Sequence, residues 1–351
     1  MTLDEIITLP SPWLKPGGPH GDIVLSTRVR LARNAAGRPF LSRLGAAEQQ
    51  ELEAALRDAV LAAADPGDFT WFDLEELSDI DRQCLLERHV ISREHAAAEG
   101  PRGVAVSRDQ RIAVMVNEED HLRLQVYSAG LALEAAWAEA DALDDRIEQR
   151  VTYTFSPQLG YLTACPTNVG TGMRLSVMLH LPALVLTKQI EKVFHAATRM
   201  RLAVRGIYGE GTQAVGDIYQ ISNQASLGRS EEDILKNLDA VIPQIIEYEQ
   251  QARAVLADES PVALDDRVYR AWALLTHART ISSEETLMLL SAVRLGIHLG
   301  RLDGVDLGAV SDLFLLTRRG HIQRLRGAAL DESERDVARA DFIRKRLAAN
   351  G

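Results

Sequence analysis

The spacing of apolar residues changes near residue 260, and this change constrains the fold more than any other feature of the 351-residue chain. Before it, short runs of alternating apolar and polar residues are mixed with stretches of helical spacing, as expected for strands and helices in one domain. After it, only helical spacing remains. We therefore predict an α+β fold with a largely antiparallel sheet flanked by helices, followed by a C-terminal all-helical domain.

The same pattern divides the chain into three segments. Residues 1–22 are rich in Pro and Gly and predict an irregular lead-in. Residues 23–258 are predicted to form the sheet-containing domain, and residues 259–351 the helical domain. Helical stretches in this last segment open at four positions, namely Asp265, Ser282, Val310 and Asp331.

Local patterns predict individual elements in the sheet-containing domain. The stretch DIVLSTRVRLARN alternates as a strand does, and residues 103–117 are typical of a hairpin that turns at 108–110. Helical spacing covers residues 46–64 and 127–148. Two further strands are predicted at residues 151–156 and 160–166, and the loop ACPTNVGTGMRLS at 164–176 is expected to lead into a helix.

Composition excludes several classes of function. The chain has 39 Lys and Arg against 50 Asp and Glu, a net charge of -11, so its surface repels nucleic acid and anionic membranes. The most apolar stretch, residues 175–186, is too short to cross a bilayer. Two cysteines cannot form a disulfide framework, and the N-terminus lacks a signal-peptide pattern. We expect a cytoplasmic protein in which any anion site is local.

Arginines and acids recur at short spacing in two stretches. Arg28 and Arg30 are two residues apart on a predicted strand, so both side chains leave on one face. In VNEEDHLRL, an extended backbone would place Glu119 and Arg123 on one face, a carboxylate beside a guanidinium. If these residues have no function, Arg28 and Arg30 lie on a solvated strand face, and Glu119 and Arg123 form a salt bridge.

Two loops that contain glycine could bind an anion. The loop at 164–176 has no Lys-Ser/Thr pair and lacks the third glycine of a dinucleotide loop, so neither common nucleotide motif fits it. Free N–H groups at a helix start, together with Arg174, would nevertheless suit a phosphate. In VRGIYGEGTQAVGDIYQ, four glycines surround Arg205 and Glu210, and such a loop could close over a substrate.

Together these stretches resemble the active-site motifs of the phosphagen (guanidino) kinase family. STRVR, NEEDHLR, CPTN-x-GT-x-x-R and RG-x-x-GE match in order between about residues 20 and 255. The resemblance implies ATP as cofactor, with Mg²⁺ held by phosphates and water and no protein metal ligands. It implies that planar, permanently charged guanidinium groups hold the phosphates, namely those of Arg28, Arg30, Arg123, Arg174 and Arg205. The other nucleotide contacts it implies are Ser26, Thr27, Val29, His89, Leu175, Ser176, Val177, Met178, Gly206, Ile207, Tyr208, Gly209 and Glu210.

The acceptor in this family is a guanidinium nitrogen, which is a poor nucleophile while it carries its charge. By resemblance, Glu119 and Glu210 grip this guanidinium, and Glu119 is the general base. Cys165 resembles the family cysteine beside the acceptor, where a thiolate would orient the guanidinium without a covalent intermediate. Cys84, on a helical pattern, is expected to be a buried apolar residue.

Two features favour the bacterial protein arginine kinases of the McsB type. Kinases of free arginine or creatine carry a helical domain ahead of STRVR that helps to enclose the acceptor, whereas only 25 residues precede Ser26 here. The helical segment after residue 260 and the stretch 221–235 also resemble the McsB type. We therefore predict ATP-dependent phosphorylation of arginine side chains in proteins, as a mark for quality-control degradation. The resemblance implies an McsA-type activator, a Clp protease and a heat-shock repressor as partners, and a homodimer or higher homo-oligomer.

A last motif, Arg335-Asp336-x-x-Arg339-Ala340, matches the phosphoarginine-sensing motif of that family. On a helix, Arg335 and Arg339 would share a face and clamp a phosphoryl group, while Asp336 meets a guanidinium. A solvated helix face is the simpler explanation without the resemblance. Two other functions remain open, a metabolic kinase of a free guanidino compound and a non-catalytic adaptor that binds phosphoarginine proteins.

Overall fold

A computed structural model of the protein describes residues 2–65, 67–207 and 214–348. Within these ranges eight strands form one antiparallel sheet in the order β2-β3-β4-β5-β1-β8-β10-β9, while β6 and β7 form a separate hairpin. The predicted α+β class is confirmed. In chain order, the strands are β1 (Val24–Arg33), β2 (Phe69–Asp73), β3 (Gly103–Ser107), β4 (Ile112–Val116), β5 (Leu122–Ala129), β6 (Phe155–Ser156), β7 (Gly160–Tyr161), β8 (Met173–His180), β9 (Leu202–Gly206) and β10 (Ile218–Asn223).

Helices flank the sheet and then follow it without further strands in the described residues. The helices that flank it are α1 (Leu3–Thr8), α2 (Ala46–Ala62), α3 (Asp79–Glu87), α4 (Arg93–Ala97), α5 (Leu133–Glu148), α6 (Pro182–Leu186), α7 (Ile190–Arg199) and α8 (Glu231–Glu259). Those that follow it are α9 (Pro261–His277), α10 (Ser283–His298), α11 (Leu307–Leu316), α12 (Arg319–Arg326) and α13 (Glu332–Ala348). None of the helices in this part of the chain combines the length and apolar character needed to cross a membrane.

Alternation along the strands sends one row of side chains into a core behind the sheet. Val29, Leu31 and Leu175 are fully buried there, together with apolar residues of α2, α5 and α8. Full burial of one such side chain contributes about 1.5–3 kcal/mol. Because side chains alternate, Arg28 and Arg30 must leave on the opposite face.

The C-terminal helices pack beside those arginines, on the same face of the sheet. Met178 and Ile218 from the strands join Leu290 and Phe314 of the helices in a second buried cluster. A buried polar contact crosses the same boundary, since His180 Nε2 lies 2.9 Å from the Ser291 hydroxyl. The helical segment therefore borders whatever site the arginines form.

The loop at 164–176 runs into strand β8, so the predicted helix after it is wrong. Pairing with β1 decides the conformation, because Met173 lies opposite Leu31 in a continuous antiparallel ladder. Gly172 has a φ of 65°, and a Cβ there would lie 2.6 Å from the carbonyl oxygen of Ala32. This glycine allows close approach of the loop to β1 and does not mark the start of a helix.

Other boundaries also differ from the predictions. Leu3–Thr8 is helical although the lead-in was expected to be irregular, because Thr2 and Glu5 close a capping box and Ile6 is buried. The helix expected from residue 127 begins at Leu133, since the preceding residues pair as β5 with β1 and β4.

The predicted hairpin at 103–117 is confirmed by the pairing of β3 with β4. The second predicted hairpin is present in shortened form, as β6 and β7. The described part of the C-terminal segment contains five helices where four were predicted: α9 starts earlier, with Pro261 at its first position, and the short helix α12 was missed.

Candidate active site

A cavity of about 580 Å³ lies on the arginine-bearing face of the sheet. Six strands of the described structure contribute to it, and strand pairing brings the arginines of β1, β5, β8 and β9 together from distant parts of the chain. All five arginines predicted to hold phosphates line this cavity, namely Arg28, Arg30, Arg123, Arg174 and Arg205.

Arg30 and Arg174 lie directly opposite each other in the pairing of β1 with β8. Burial and the like charges of Arg28, Arg123 and Arg174 hold the pKa of Arg30 well below its ordinary value. Burial and the charges of Arg205, Arg28 and Arg123 likewise lower the pKa of Arg174. The Nε atoms of Arg30 and Arg174 are buried and have no hydrogen-bond partner in the described structure. Such a pair destabilises the sheet unless an anion lies between the two groups.

Neutral side chains orient two of these arginines without cancelling their charge. Arg28 donates to the Tyr127 hydroxyl at 2.7 Å and to the Gln220 side-chain oxygen at 2.8 Å. Arg174 donates to the Ser222 hydroxyl at 3.2 Å. The positive field in the cavity therefore remains available to a ligand.

Arg123 differs, because a carboxylate already neutralises it. Its Nη1 lies 2.6 and 2.7 Å from the two carboxylate oxygens of Glu118, and the Ser92 hydroxyl donates to the same carboxylate at 2.6 Å. Burial alone would raise the pKa of Glu118, but Arg123 and Ser92 lower it below its ordinary value. Burial alone would lower the pKa of Arg123, but the charge of Glu118 raises the pKa of Arg123 above its ordinary value.

The sequence had placed Glu119 next to Arg123, and this prediction of the geometry is wrong. Residues 117–121 form a turn, with Asn117 at a φ of 58°, so alternation begins only at β5. Glu119 lies exposed on this turn and outside the lining of the cavity. Partial desolvation of the carboxyl and the charge of the neighbouring Asp120 raise the pKa of Glu119, which makes its carboxylate a better proton acceptor.

Asp120 ties this turn to the loop that carries Cys165. Asp120 Oδ1 accepts from the backbone N–H of Ala164 and from the Asn34 side chain, each at 2.7 Å. Cys165 is half-buried, with its Sγ 3.1 Å from the Thr167 hydroxyl, and its charge would act on Arg174. The structure thus holds the Glu119 turn and the Cys165 loop together at one side of the arginines.

Cys84, in contrast, is fully buried, and burial raises the pKa of its thiol to about 12.

His89 lines the cavity in a conformation that its surroundings impose. Its φ is 58°, and Trp13 meets its ring edge-to-face at 4.7 Å between centroids. Gln125 Nε2 donates to the His89 carbonyl at 2.6 Å, which fixes the backbone from the sheet side. Burial and the charges of Arg28 and Arg318 lower the pKa of His89 to about 3, so the ring is neutral. Its buried Nε2 has no partner among the described atoms and is available to a ligand.

Several other predicted nucleotide contacts cannot present a side chain to the cavity. Strand alternation points three apolar side chains into the core behind the sheet, namely those of Val29, Leu175 and Val177. Met178 packs against the C-terminal helices. The Thr27 hydroxyl donates to the Gly130 carbonyl, the buried Ser26 hydroxyl has no partner among the described residues, and Ser176 donates to the Arg28 carbonyl. Gly206 and Ile207 line the cavity, whereas Tyr208, Gly209 and Glu210 lie outside the described residues.

The predicted phosphoarginine motif lies on α13, but it does not form an exposed clamp of two arginines. Arg339 is only 2% exposed and donates to the carbonyls of Thr317 at 2.8 Å and Ile281 at 2.9 Å. It also pairs with Asp336 at 2.5 Å, and Arg335 donates to the Leu330 carbonyl. Ala340 is buried. The expected geometry is wrong because this face of α13 packs against the other C-terminal helices.

Sequence reasoning missed several residues at or beside the cavity, and three of them are informative, namely Gln125, Glu118 and Arg318. Gln125 lies two residues after Arg123 on β5, so the alternation of a strand could have indicated it. Glu118 lies within the NEEDHLR motif, but its neighbour Glu119 was expected beside Arg123 in its place. Arg318 lines the cavity from the C-terminal segment, and no local pattern predicts this, because its position depends on how the helices dock.

Comparisons with known proteins agree with this geometry. Residues 51–252 match the family model described as ATP:guanido phosphotransferase, C-terminal catalytic domain. A duplicated taurocyamine kinase from Schistosoma mansoni aligns with a TM-score of 0.61 and 27% identity, over 71% of this chain and 36% of that one. A lombricine kinase aligns with a TM-score of 0.58 and 27% identity, over 70% and 72% of the two chains. The fold and the arginine-lined cavity therefore define a guanidino phosphotransferase.

The C-terminal segment and relatives that align over nearly the whole chain narrow this class. Residues 261–351 match the model described as Protein-arginine kinase McsB C-terminal domain. A protein-arginine kinase from Symbiobacterium thermophilum is 48% identical over 343 residues, 97% of each chain. One from Halothermothrix orenii is 46% identical over 348 residues, 99% of each chain. The chain belongs to the protein-arginine kinase family, which confirms the predicted activity, ATP-dependent phosphorylation of arginine side chains in proteins.

Proposed function

We propose that the cavity binds ATP with its phosphates against the arginine cluster and that Mg²⁺ arrives with the nucleotide, held by phosphates and water. The observation that carries this proposal is the uncompensated charge of Arg30 and Arg174, opposed across two strands with buried Nε groups. A polyphosphate satisfies both groups and removes their repulsion. His89 offers a neutral imidazole at the same cavity.

Phosphoryl transfer needs positioning and charge neutralisation more than covalent chemistry. Guanidinium groups fixed on paired strands hold planar, two-point contacts with phosphate oxygens. Strands position these groups more rigidly than loops do. We assign this task to the five arginines, with Arg28 oriented by Tyr127 and Gln220.

The acceptor arginine enters from the side where the Glu119 turn and the Cys165 loop meet. Glu119 acts as the general base that takes a proton from the attacking guanidinium nitrogen, and its raised pKa supports this role. Cys165 orients the guanidinium by its charge. The contact between Asp120 and Ala164 keeps the two elements in register. Glu210 is proposed as the second carboxylate on the resemblance alone.

The cellular role is proposed from the family. Phosphoarginine would mark proteins for quality-control degradation in the cytoplasm, with an McsA-type activator and Clp protease machinery as partners and a homodimer or higher homo-oligomer as the assembly. The motif of Arg335, Asp336, Arg339 and Ala340 would sense phosphoarginine. Arg339 is buried and engaged by backbone carbonyls, whereas Arg335 and Asp336 are half-buried and are the more exposed members of the motif.

The deciding experiment supplies Mg²⁺ and ATP with either an unfolded protein or free arginine and measures acid-labile phosphate on each. We expect transfer to the protein. Transfer to free arginine alone would favour the metabolic alternative, and binding of phosphoarginine protein without transfer would favour the adaptor. A parallel reaction with Arg30→Met tests the cavity, since that variant must lose transfer if the arginines bind ATP.

A further inference from the structure

Arg318 lines the cavity although it belongs to the C-terminal helical segment, ahead of α12. The lining also includes Gln83 and Leu86 of α3, and a Cβ at Gly320 would lie 2.9 Å from the Gln83 side chain, so Arg318 lies at the side of the cavity formed by α3. Its charge also contributes to the low pKa of His89, after burial and Arg28. The next residue, Arg319, is exposed and is not part of the lining.

A buried carboxylate fixes the segment that carries Arg318. Glu87, two residues before His89, accepts from the backbone N–H groups of Gly320 at 2.8 Å and His321 at 3.2 Å. It also contacts His321 Nδ1 at 2.8 Å. A carboxylate at the start of α12 satisfies N–H groups that have no partner within the helix. One residue of α3 thereby sets the distance between Arg318 and His89.

A hydrogen bond from α13 fixes the residue that precedes Arg318. Arg339 donates through Nε to the carbonyl of Thr317, the residue before Arg318, at 2.8 Å. The Thr317 hydroxyl donates to the Leu313 carbonyl at 2.6 Å. Arg318 is therefore fixed between two anchors that belong to different parts of the chain.

We propose that Arg318 is a nucleotide-binding residue, supplied by the C-terminal helical segment to the polyphosphate of ATP beside His89. The inference rests on the proposed function, in which ATP occupies the cavity. It adds that full nucleotide affinity requires the C-terminal helices to be docked on α3. The helical segment then acts in nucleotide binding itself, in addition to any role in assembly or sensing.

The test measures the dissociation constant of ATP with Mg²⁺ by calorimetry on the full chain. Arg318→Met retains the apolar stem and removes the charge, and Arg319→Met is the matched control on the adjacent, exposed arginine. Loss of a hydrogen bond from a charged group predicts affinity weakened by about 10-fold or more in Arg318→Met. Arg319→Met should stay within about 2-fold of the parent, as is usual for a surface change.

The outcomes separate this inference from the proposed function. If the parent chain does not bind ATP, the proposed function fails. If the parent and Arg319→Met bind ATP and Arg318→Met binds it equally well, only the role of Arg318 is overturned. Melting without nucleotide detects misfolding, in which case Arg318→Gln replaces the Met variant. If both uncharged variants melt well below Arg319→Met, Arg318 is a structural residue and the proposal is overturned.

Discussion

Replacement of Arg30 by methionine should stabilise the nucleotide-free protein while it destroys nucleotide binding. Two unit charges about 6 Å apart repel by about 3 kcal/mol at an effective dielectric constant of 20. Arg30 lies among the like charges of Arg28, Arg123 and Arg174, and Glu118 offsets part of the charge of Arg123. Solvent in the cavity screens part of this repulsion, so we expect a net gain in the free energy of unfolding of about 2 kcal/mol. Methionine keeps the volume of the side chain, which limits the loss of packing.

Melting curves at low ionic strength, in buffer free of phosphate and sulfate, measure this effect. We expect the melting temperature of Arg30→Met to exceed that of the parent by about 3–5 °C. Added salt should reduce the difference, because it screens the repulsion in the parent. ATP with Mg²⁺ should raise the melting temperature of the parent by mass action and leave the variant unchanged.

Arg319→Met provides the control, since it removes an exposed arginine outside the cavity. Its melting temperature should match the parent with and without nucleotide. A lower melting temperature for nucleotide-free Arg30→Met would refute the reasoning, because the charge of Arg30 would then be compensated within the protein.

Four further predictions concern phosphate transfer, stability and sensing. Glu119→Gln should bind ATP but lose about 10²- to 10⁴-fold in phosphate transfer to protein, and substantial transfer by the folded variant would remove Glu119 from the mechanism. Arg174→Lys should be severely defective in steady-state kinetics, because an ammonium group cannot make a planar two-point contact, and near-normal turnover would contradict this. Arg339→Ala should lower the free energy of unfolding by about 2 kcal/mol or more in denaturant titration, since the Thr317 and Ile281 carbonyls lose a buried donor. Arg335→Ala should melt like the parent but lose stimulation by a phosphoarginine peptide, and an undiminished response would count against the sensing role.

Strand alternation and motif spacing were sufficient to predict which face of the sheet a side chain occupies, wherever the residue lies on a regular strand. Arg28 and Arg30 share a face for the reason given by the pattern, and the antiparallel sheet follows from the predicted hairpins. The identity of the five cavity arginines came from the family motifs, which the sheet then brings together.

The remaining features depend on contacts that no local pattern contains. Glu118 replaces Glu119 as the partner of Arg123 because Asn117 adopts a positive φ and reverses the chain before the strand begins. Residues 173–180 form a strand because β1 pairs with them, although their spacing also fits a helix. Arg339 is buried because of how the C-terminal helices pack on one another.

The position of β1 at the centre of the sheet has a consequence for the order of folding. β1 pairs with β5 on one side and β8 on the other, so its second partner follows it by more than a hundred residues in the sequence. Contacts of such long sequence separation form slowly, and during synthesis β1 must wait for β8 to leave the ribosome. Arg30 and Arg174 therefore come together only when β8 pairs with β1. If this pairing is already formed in the transition state for folding, their repulsion lowers the folding rate more than it raises the unfolding rate. Polyphosphate added during refolding should then accelerate the parent chain and leave Arg30→Met unaffected.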